Sequence, residues 1–233
     1  MDKTNNVDIE FYKTEVLGKI HDSLTNFVPK EQLQNEIPEQ ILASLYIKPN
    51  DVVLELGGSL GRNSCVINSI LQDKTQHVVI EPSIRELEIL KHNRDANNLK
   101  FHIENSAISD HPLYSLNWYT YNEPIENSVQ VNTITYTQLQ EKYPLNFNVL
   151  VIDNEGHFVE MLKAFPELLN GIRLVIIEHD FNTLEDLEYF YNTMNDYRFK
   201  LSCNYLKTFK YGPGMDWIDG LKEDPIFVSA WTR

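Results

Sequence analysis

Val52-Val53-Leu54-Glu55-Leu56-Gly57-Gly58-Ser59-Leu60-Gly61 sets the frame for the rest of the chain. A short apolar run that ends at once in three glycines reads as a strand covered on both faces and closed by a tight turn. Outward from it the same kind of run recurs at His77-Val78-Val79-Ile80-Glu81, Leu99 to Ile103, Asn148 to Asp153 and Ile172 to Glu178. Helical spacing lies between them, at Arg62 to Leu71, from Ser83 to Asn97 and over His157 to Leu169. Ser83 with Glu86 three residues later matches a capping box. A further helix from Leu184 to Met194 leads to strands 198–206 and 226–231, and residues 113–121 and 128–134 alternate like extended segments. Strand–helix alternation predicts a doubly wound α/β sheet, because each parallel pair needs a crossover that covers one face. Only the polar stretch Lys207 to Asp224 joins the last two strands, so they are expected as an antiparallel hairpin at the sheet edge.

Residues 1–49 precede this pattern. Phe11, Val16, Leu17, Ile20, Leu24 and Phe27 form one apolar stripe, and Ile37, Ile41, Leu42 and Leu45 a second, with Pro38 near its start. They predict an N-terminal helical cap on a single unit spanning 50–233.

Composition narrows the function. The 233 residues carry 20 basic and 34 acidic side chains, a net charge of −14, and 42% are hydrophobic. The core is large enough for a folded domain, and the acidity disfavours nucleic-acid partners and anionic membranes. No apolar run reaches 18 residues, and the start, MDKTNNVDIEFYK, lacks a basic-then-apolar signal pattern. Two cysteines, Cys65 and Cys203, make no disulfide framework. The expectation is a cytoplasmic protein without membrane insertion.

In such sheets ligands gather beyond the carboxyl ends of the strands. The loop Glu55-x-Gly57-Gly58-Ser59-x-Gly61 departs from the G-x-G-x-x-G turn that seats a pyrophosphate. A carboxylate in this loop, Glu55, suits a cationic amino-acid moiety. Strand two ends in Glu81-Pro82, and an acid there can accept both hydroxyls of a ribose. Together they point to an adenosine-containing ligand without a pyrophosphate. Strand four ends in Asp153-Asn154-Glu155-Gly156-His157 and strand five in Glu178-His179-Asp180. These acids suit a divalent ion or the deprotonation of a hydroxyl, and His179 suits proton acceptance. Helix capping is the alternative, since both clusters precede helices.

Three stretches resemble the FkbM-type, class I S-adenosylmethionine-dependent methyltransferases: Val52 to Gly61, Val79-Ile80-Glu81-Pro82-Ser83, and Val149 to Gly156 with Met161-Leu162 and Leu174 to Glu178. Asn132-Thr133-Ile134 echoes the lead into the third. Val151 and Phe158 stand where the family usually has Lys and Glu. The resemblance implies a Rossmann-like, mostly parallel seven-stranded sheet and transfer of a methyl group to a hydroxyl of a carbohydrate or small metabolite. It places the methionine part of S-adenosyl-L-methionine on Gly57, Gly58, Ser59 and Gly61, the ribose on Glu81 beside Pro82, and the adenine near Asn105, Ser106 and Ala107. Apart from the resemblance, the convergence of side chains at adjacent strand ends makes Asp153, Glu155 and His179 the candidate catalytic residues, with Asp153 and Glu178 as candidate ligands for Mg²⁺ or Mn²⁺. Trp118, Tyr119, Tyr121, Tyr211 and Trp217 are candidates to stack on a sugar, and the 207–224 stretch is a candidate lid. The alternative is a catalytically weak or inactive S-adenosylmethionine-binding protein of the same fold.

Overall fold

The computed structural model describes residues 12–117, 119–206 and 224–233. Phe11, Trp118, Tyr211, Trp217 and the candidate lid apart from Asp224 lie outside the described residues.

After a π-helical turn at Tyr12–Leu17 come α1 (Gly18–Ser23), a 3-10 turn at Lys30–Gln34 and α2 (Ile37–Tyr46). Pro38 sits in the first turn of α2, where a missing N–H leaves no helical bond unmade. The chain continues through β1 (Val53–Leu56), α3 (Arg62–Ile70), β2 (His77–Ile80), α4 (Ile84–Ala96) and β3 (His102–Glu104). An excursion follows: β4 (Ala107–Ile108), β5 (Leu113–Leu116), β6 (Tyr119–Tyr121), β7 (Val129–Val131) and β8 (Thr133–Ile134). Then come α5 (Tyr136–Lys142), β9 (Val149–Ile152), α6 (Phe158–Ala164), β10 (Leu174–Glu178), α7 (Leu184–Asp196), β11 (Lys200–Leu206) and β12 (Ile226–Thr232).

Seven strands form the main sheet in the order β11-β12-β10-β9-β1-β2-β3. From β1 the chain builds outward through β2 and β3, then returns to lay β9 on the other side of β1. That reversal makes the carboxyl ends of β1 and β9 the switch point, where such sheets open a crevice. β12 runs antiparallel to both β10 and β11. The expected terminal hairpin is therefore present, with its second strand inserted one place inward. The excursion stays off the main sheet. It forms an antiparallel β6-β5-β7 sheet and a short parallel β4–β8 pair.

Alternation along the buried strands divides the core between the two faces. Val53, Val79, Val151 and Ile176 face the α3 side and join Leu17, Leu24, Phe27, Leu33 and Ile41 in one cluster. The N-terminal helices thus complete the core on that side, as the apolar stripes predict. Leu54, Val78, Leu150 and Ile177 face the other way, onto Leu139, Leu162, Phe190 and Met194 from α5, α6 and α7. Each such side chain contributes about 1.5–3 kcal/mol on burial. Among the described residues no helix is long and apolar enough to cross a membrane.

The capping box does not form where the motif places it. The Ser83 hydroxyl turns to the Glu86 carboxylate, and the Ser83 amide is taken by Glu81 Oε1 at 2.7 Å. The reciprocal pair forms instead between Thr135 and Gln138, at the start of α5.

Candidate functional site

The loop after β1 is pressed against the end of β9. Gly57 has φ +91°, and a Cβ there would lie 1.7 Å from the Asp153 carbonyl oxygen. At Gly58 a Cβ would come within 2.4 Å of Val79 Cγ1. Only glycine fits either position, and the Gly57 and Gly58 amides both donate to the Ile80 carbonyl, at 3.0 and 3.1 Å, which fastens the loop to the end of β2. Arg62, at the start of α3, ties this loop to the N-terminal helices. Its guanidinium donates to Glu36 at 2.7 Å and to Gln32 at 2.8 Å, with Ser59 Oγ 3.4 Å away.

Glu81 sits directly across from the loop. Its Oε2 accepts the Ser59 amide at 2.6 Å and its Oε1 the Ser83 amide at 2.7 Å, and the residue is only 6% exposed. Burial pushes its pKa up to about 7 against the pull of those two amides, with Glu86 and Asp153 adding to the rise. A carboxylate has room for about four hydrogen bonds, so two remain for a diol. The Asn105 side chain clasps the same turn, donating to the carbonyls of Glu81 at 2.8 Å and Pro82 at 3.2 Å. Ser106 is buried with its hydroxyl 3.3 Å from Glu104, and Ala107 begins β4.

On the other flank of the crevice, Asp153, Glu178 and Asp180 bring carboxylate oxygens within 4.8 Å of one another. Three hard oxygen donors this close make a candidate site for a metal ion. Glu178 ends β10, and Asp180, two residues on, brings its carboxylate to the same cluster. Glu155 and Gly156, both left-handed at φ 54° and 82°, turn the chain from β9 into α6.

Two expected site residues are placed elsewhere. Glu55 belongs to β1 itself rather than to the loop, and its carboxylate pairs with His77 Nε2 at 2.8 Å inside the sheet. His179 falls between Glu178 and Asp180, so its ring points to the opposite side, among Phe181, Phe190 and Tyr191. Nδ1 lies 2.7 Å from Asp224 Oδ2 and Nε2 lies 2.7 Å from Ser229 Oγ. Both ring nitrogens are engaged and the residue is 1% exposed, so His179 presents no open nitrogen to the crevice. Asp180 joins the expected metal pair, Asp153 and Glu178, as the third acid of the cluster.

The same overall fold recurs in solved structures. An O-methyltransferase from Bacillus cereus in complex with SAH aligns over 97% of this chain and 98% of its own, with a TM-score of 0.58 at 14% identity. The fold is the Rossmann-like methyltransferase fold. A protein of the NADB-Rossmann superfamily from Streptococcus agalactiae shares the architecture at a TM-score of 0.50 and 10% identity, over 84% of this chain and 67% of that one. In sequence, the hexuronic acid methyltransferase AglP of Haloferax volcanii is 26% identical over 137 residues, 55% of this chain and 56% of AglP. The match thus spans just over half the length of that relative. No family model matches the chain.

Proposed function

We propose that this chain is an S-adenosylmethionine-dependent O-methyltransferase of FkbM type that acts on a hydroxyl of a sugar, with an acidic sugar as the first candidate. The observation that carries the reading is the buried Glu81 carboxylate bonded to the Ser59 amide at the switch point. It pairs a diol acceptor with a glycine loop that has no room for side chains. The sugar class rests on the likeness to the hexuronic acid methyltransferase.

In this reading the Gly57 to Gly61 loop borders the methionine part and Glu81 grips the ribose. Asn105 holds the Glu81–Pro82 turn in place, and the segment Asn105 to Ala107 borders the adenine. Methyl transfer from a sulfonium is an in-line displacement, so alignment supplies much of the rate. Asp153, Glu178 and Asp180 would hold the divalent cation, whose chemistry is to polarise the acceptor hydroxyl. Glu155 fixes the turn that leads away from Asp153. The second reading, a cofactor-binding protein with little turnover, is favoured by the enclosure of His179.

The test is incubation with methyl-labelled S-adenosylmethionine and a panel of hexuronates, neutral hexoses and small hydroxyl metabolites. Label is expected on the hexuronates. Cofactor binding with no labelled product across the panel supports the second reading instead.

A further inference from the structure

Ser59 stands at φ 43°, in the left-handed region, inside a turn that the Gly61 N–H closes on the Gly58 carbonyl at 2.7 Å. Glycine takes that conformation freely, whereas any other residue is penalised by contact between its Cβ and the backbone. A strained residue keeps such a form only where its surroundings fix it. The Glu81 carboxylate restrains Ser59 from one side by accepting its amide. The remaining restraints come from outside the crevice.

Asn93, on α4, is fully buried and directs its side-chain amide wholly to backbone. Its Oδ1 accepts the Val28 N–H at 2.7 Å, and its Nδ2 donates to the Val28 carbonyl at 2.9 Å and the Leu60 carbonyl at 2.8 Å. One side chain thus joins the N-terminal segment to the residue after Ser59. Leu90, on the same helix, fills the space under the loop, since a Cβ would meet its methyls at 3.0 Å from Gly58 and 2.9 Å from Gly61. Arg62 makes the second connection. Its Nη1 pairs with Glu36 and reaches Ser59 Oγ more distantly, while its Nη2 donates to Gln32. Glu36 is itself left-handed, at φ 60°, and this ion pair is partly sheltered from solvent. Segment 28–36 therefore grips residues 59–62 at both ends.

We propose that Asn93 and Arg62 are positioning residues, through which segment 28–36 holds Ser59 left-handed so that the loop meets S-adenosylmethionine already in its binding form. This rests on the methyltransferase reading above. Without the clasp the left-handed penalty is met on binding; with it, the penalty is met on folding. Asn93 and Arg62 act through Ser59 and not by touching the ligand, so a glycine at position 59 makes both dispensable for affinity.

The experiment uses the full chain and S-adenosylhomocysteine, with Arg62→Ala, Asn93→Ala and Glu36→Ala made on the wild type and again on Ser59→Gly. Lys30→Ala is the control, because Lys30 steadies the same segment away from the loop, donating to the His21 and Leu24 carbonyls at 3.1 and 2.9 Å. On the wild-type background calorimetry is expected to show affinity about five- to thirtyfold lower for Arg62→Ala and Asn93→Ala, the left-handed penalty written as an equilibrium constant. Glu36→Ala, which leaves the buried side chains in place and serves if either of the others does not fold, is expected to lose less in the same direction. On the Ser59→Gly background the same changes are expected to alter affinity less than about twofold. Lys30→Ala is expected to lower the melting temperature and leave affinity within about twofold. In NMR spectra of the ligand-free protein the Ser59 amide proton is expected far downfield, as a bond to a carboxylate requires, and to move upfield in Arg62→Ala. Equal losses on the two backgrounds, or a loss in Lys30→Ala matching that in Arg62→Ala, overturn the proposal, as does a Ser59 amide proton that Arg62→Ala does not move. A wild type that binds no S-adenosylhomocysteine defeats the methyltransferase reading itself, and the cofactor role of the clasp falls with it.

Discussion

Glu81 reaches from the end of β2 to the loop after β1, where its Oε2 accepts the Ser59 backbone N–H at 2.6 Å. The carboxyl is buried enough that desolvation outweighs both amide bonds and lifts its pKa to about 7. Its folded pKa therefore stands above its unfolded value near 4.5. The stabilisation from its protonated form is complete below pH 4.5 and is lost as pH rises through 7. The melting temperature is expected to fall between pH 5 and pH 8, and Glu81→Gln to flatten that fall. Nucleoside affinity carries the opposite sign, because a diol donates to the ionised carboxylate. Calorimetry is expected to show binding about tenfold weaker at pH 6 than at pH 8; affinity that is level across this range counts against Glu81 as the diol acceptor.

Two glycines separate steric need from conformational need. Both have positive φ, +91° at Gly57 and +79° at Gly171, but a Cβ on Gly57 collides with the Asp153 carbonyl while one on Gly171 meets nothing nearer than Phe147 O at 3.5 Å. Gly171→Ala is expected to cost about 1–2 kcal/mol, the left-handed strain alone. Gly57→Ala is expected to cost distinctly more and to abolish cofactor binding. Urea denaturation of the two variants makes the comparison, and equal losses would refute the packing of the loop on β9.

His179 anchors β10 from behind the acid cluster. Trp231 Nε1 donates to Ser229 Oγ at 2.7 Å, the Ser229 hydroxyl then serves His179 Nε2, and His179 Nδ1 serves Asp224. Ser229→Ala strands two buried nitrogens, with an expected loss of about 2–4 kcal/mol. Cofactor affinity is expected to stay within about twofold. A stability loss under 0.5 kcal/mol would show that the network does not hold the strand.

The three acids make a separate prediction. Exhaustive chelation is expected to lower methyl transfer at least tenfold, with recovery on adding Mg²⁺ or Mn²⁺, and Asp180→Asn to raise the metal concentration needed for half-recovery. Full activity after chelation would remove the cation from the mechanism.

What was legible in the chain follows from burial. β1, β2, β9 and β10 are covered on both faces, so their apolar runs stand out, and the acidic residue that ends each of β2, β9 and β10 reads directly as a crevice position. The alternation that turns His179 away from the acids is already present in Glu178-His179-Asp180, where side-chain direction, and not nearness to the strand end, decides which residues meet the crevice. Glu55 was misplaced by a single element boundary, since nothing local tells the last turns of a strand from the first residue of a loop. The helix Tyr136–Lys142 carried its signal in Thr135-Tyr136-Thr137-Gln138, which the more conspicuous Ser83–Glu86 pair overshadowed. At Ser83 a tertiary partner, Glu81, had already claimed the amide that the motif requires.

Titration calorimetry with S-adenosylmethionine at pH 8, on the wild type and on Glu81→Ala, bears most directly on the crevice at β1 and β2. One site per chain is expected in the wild type, with affinity at least tenfold lower in the variant. No heat in the wild type, or equal affinity in both proteins, would contradict it.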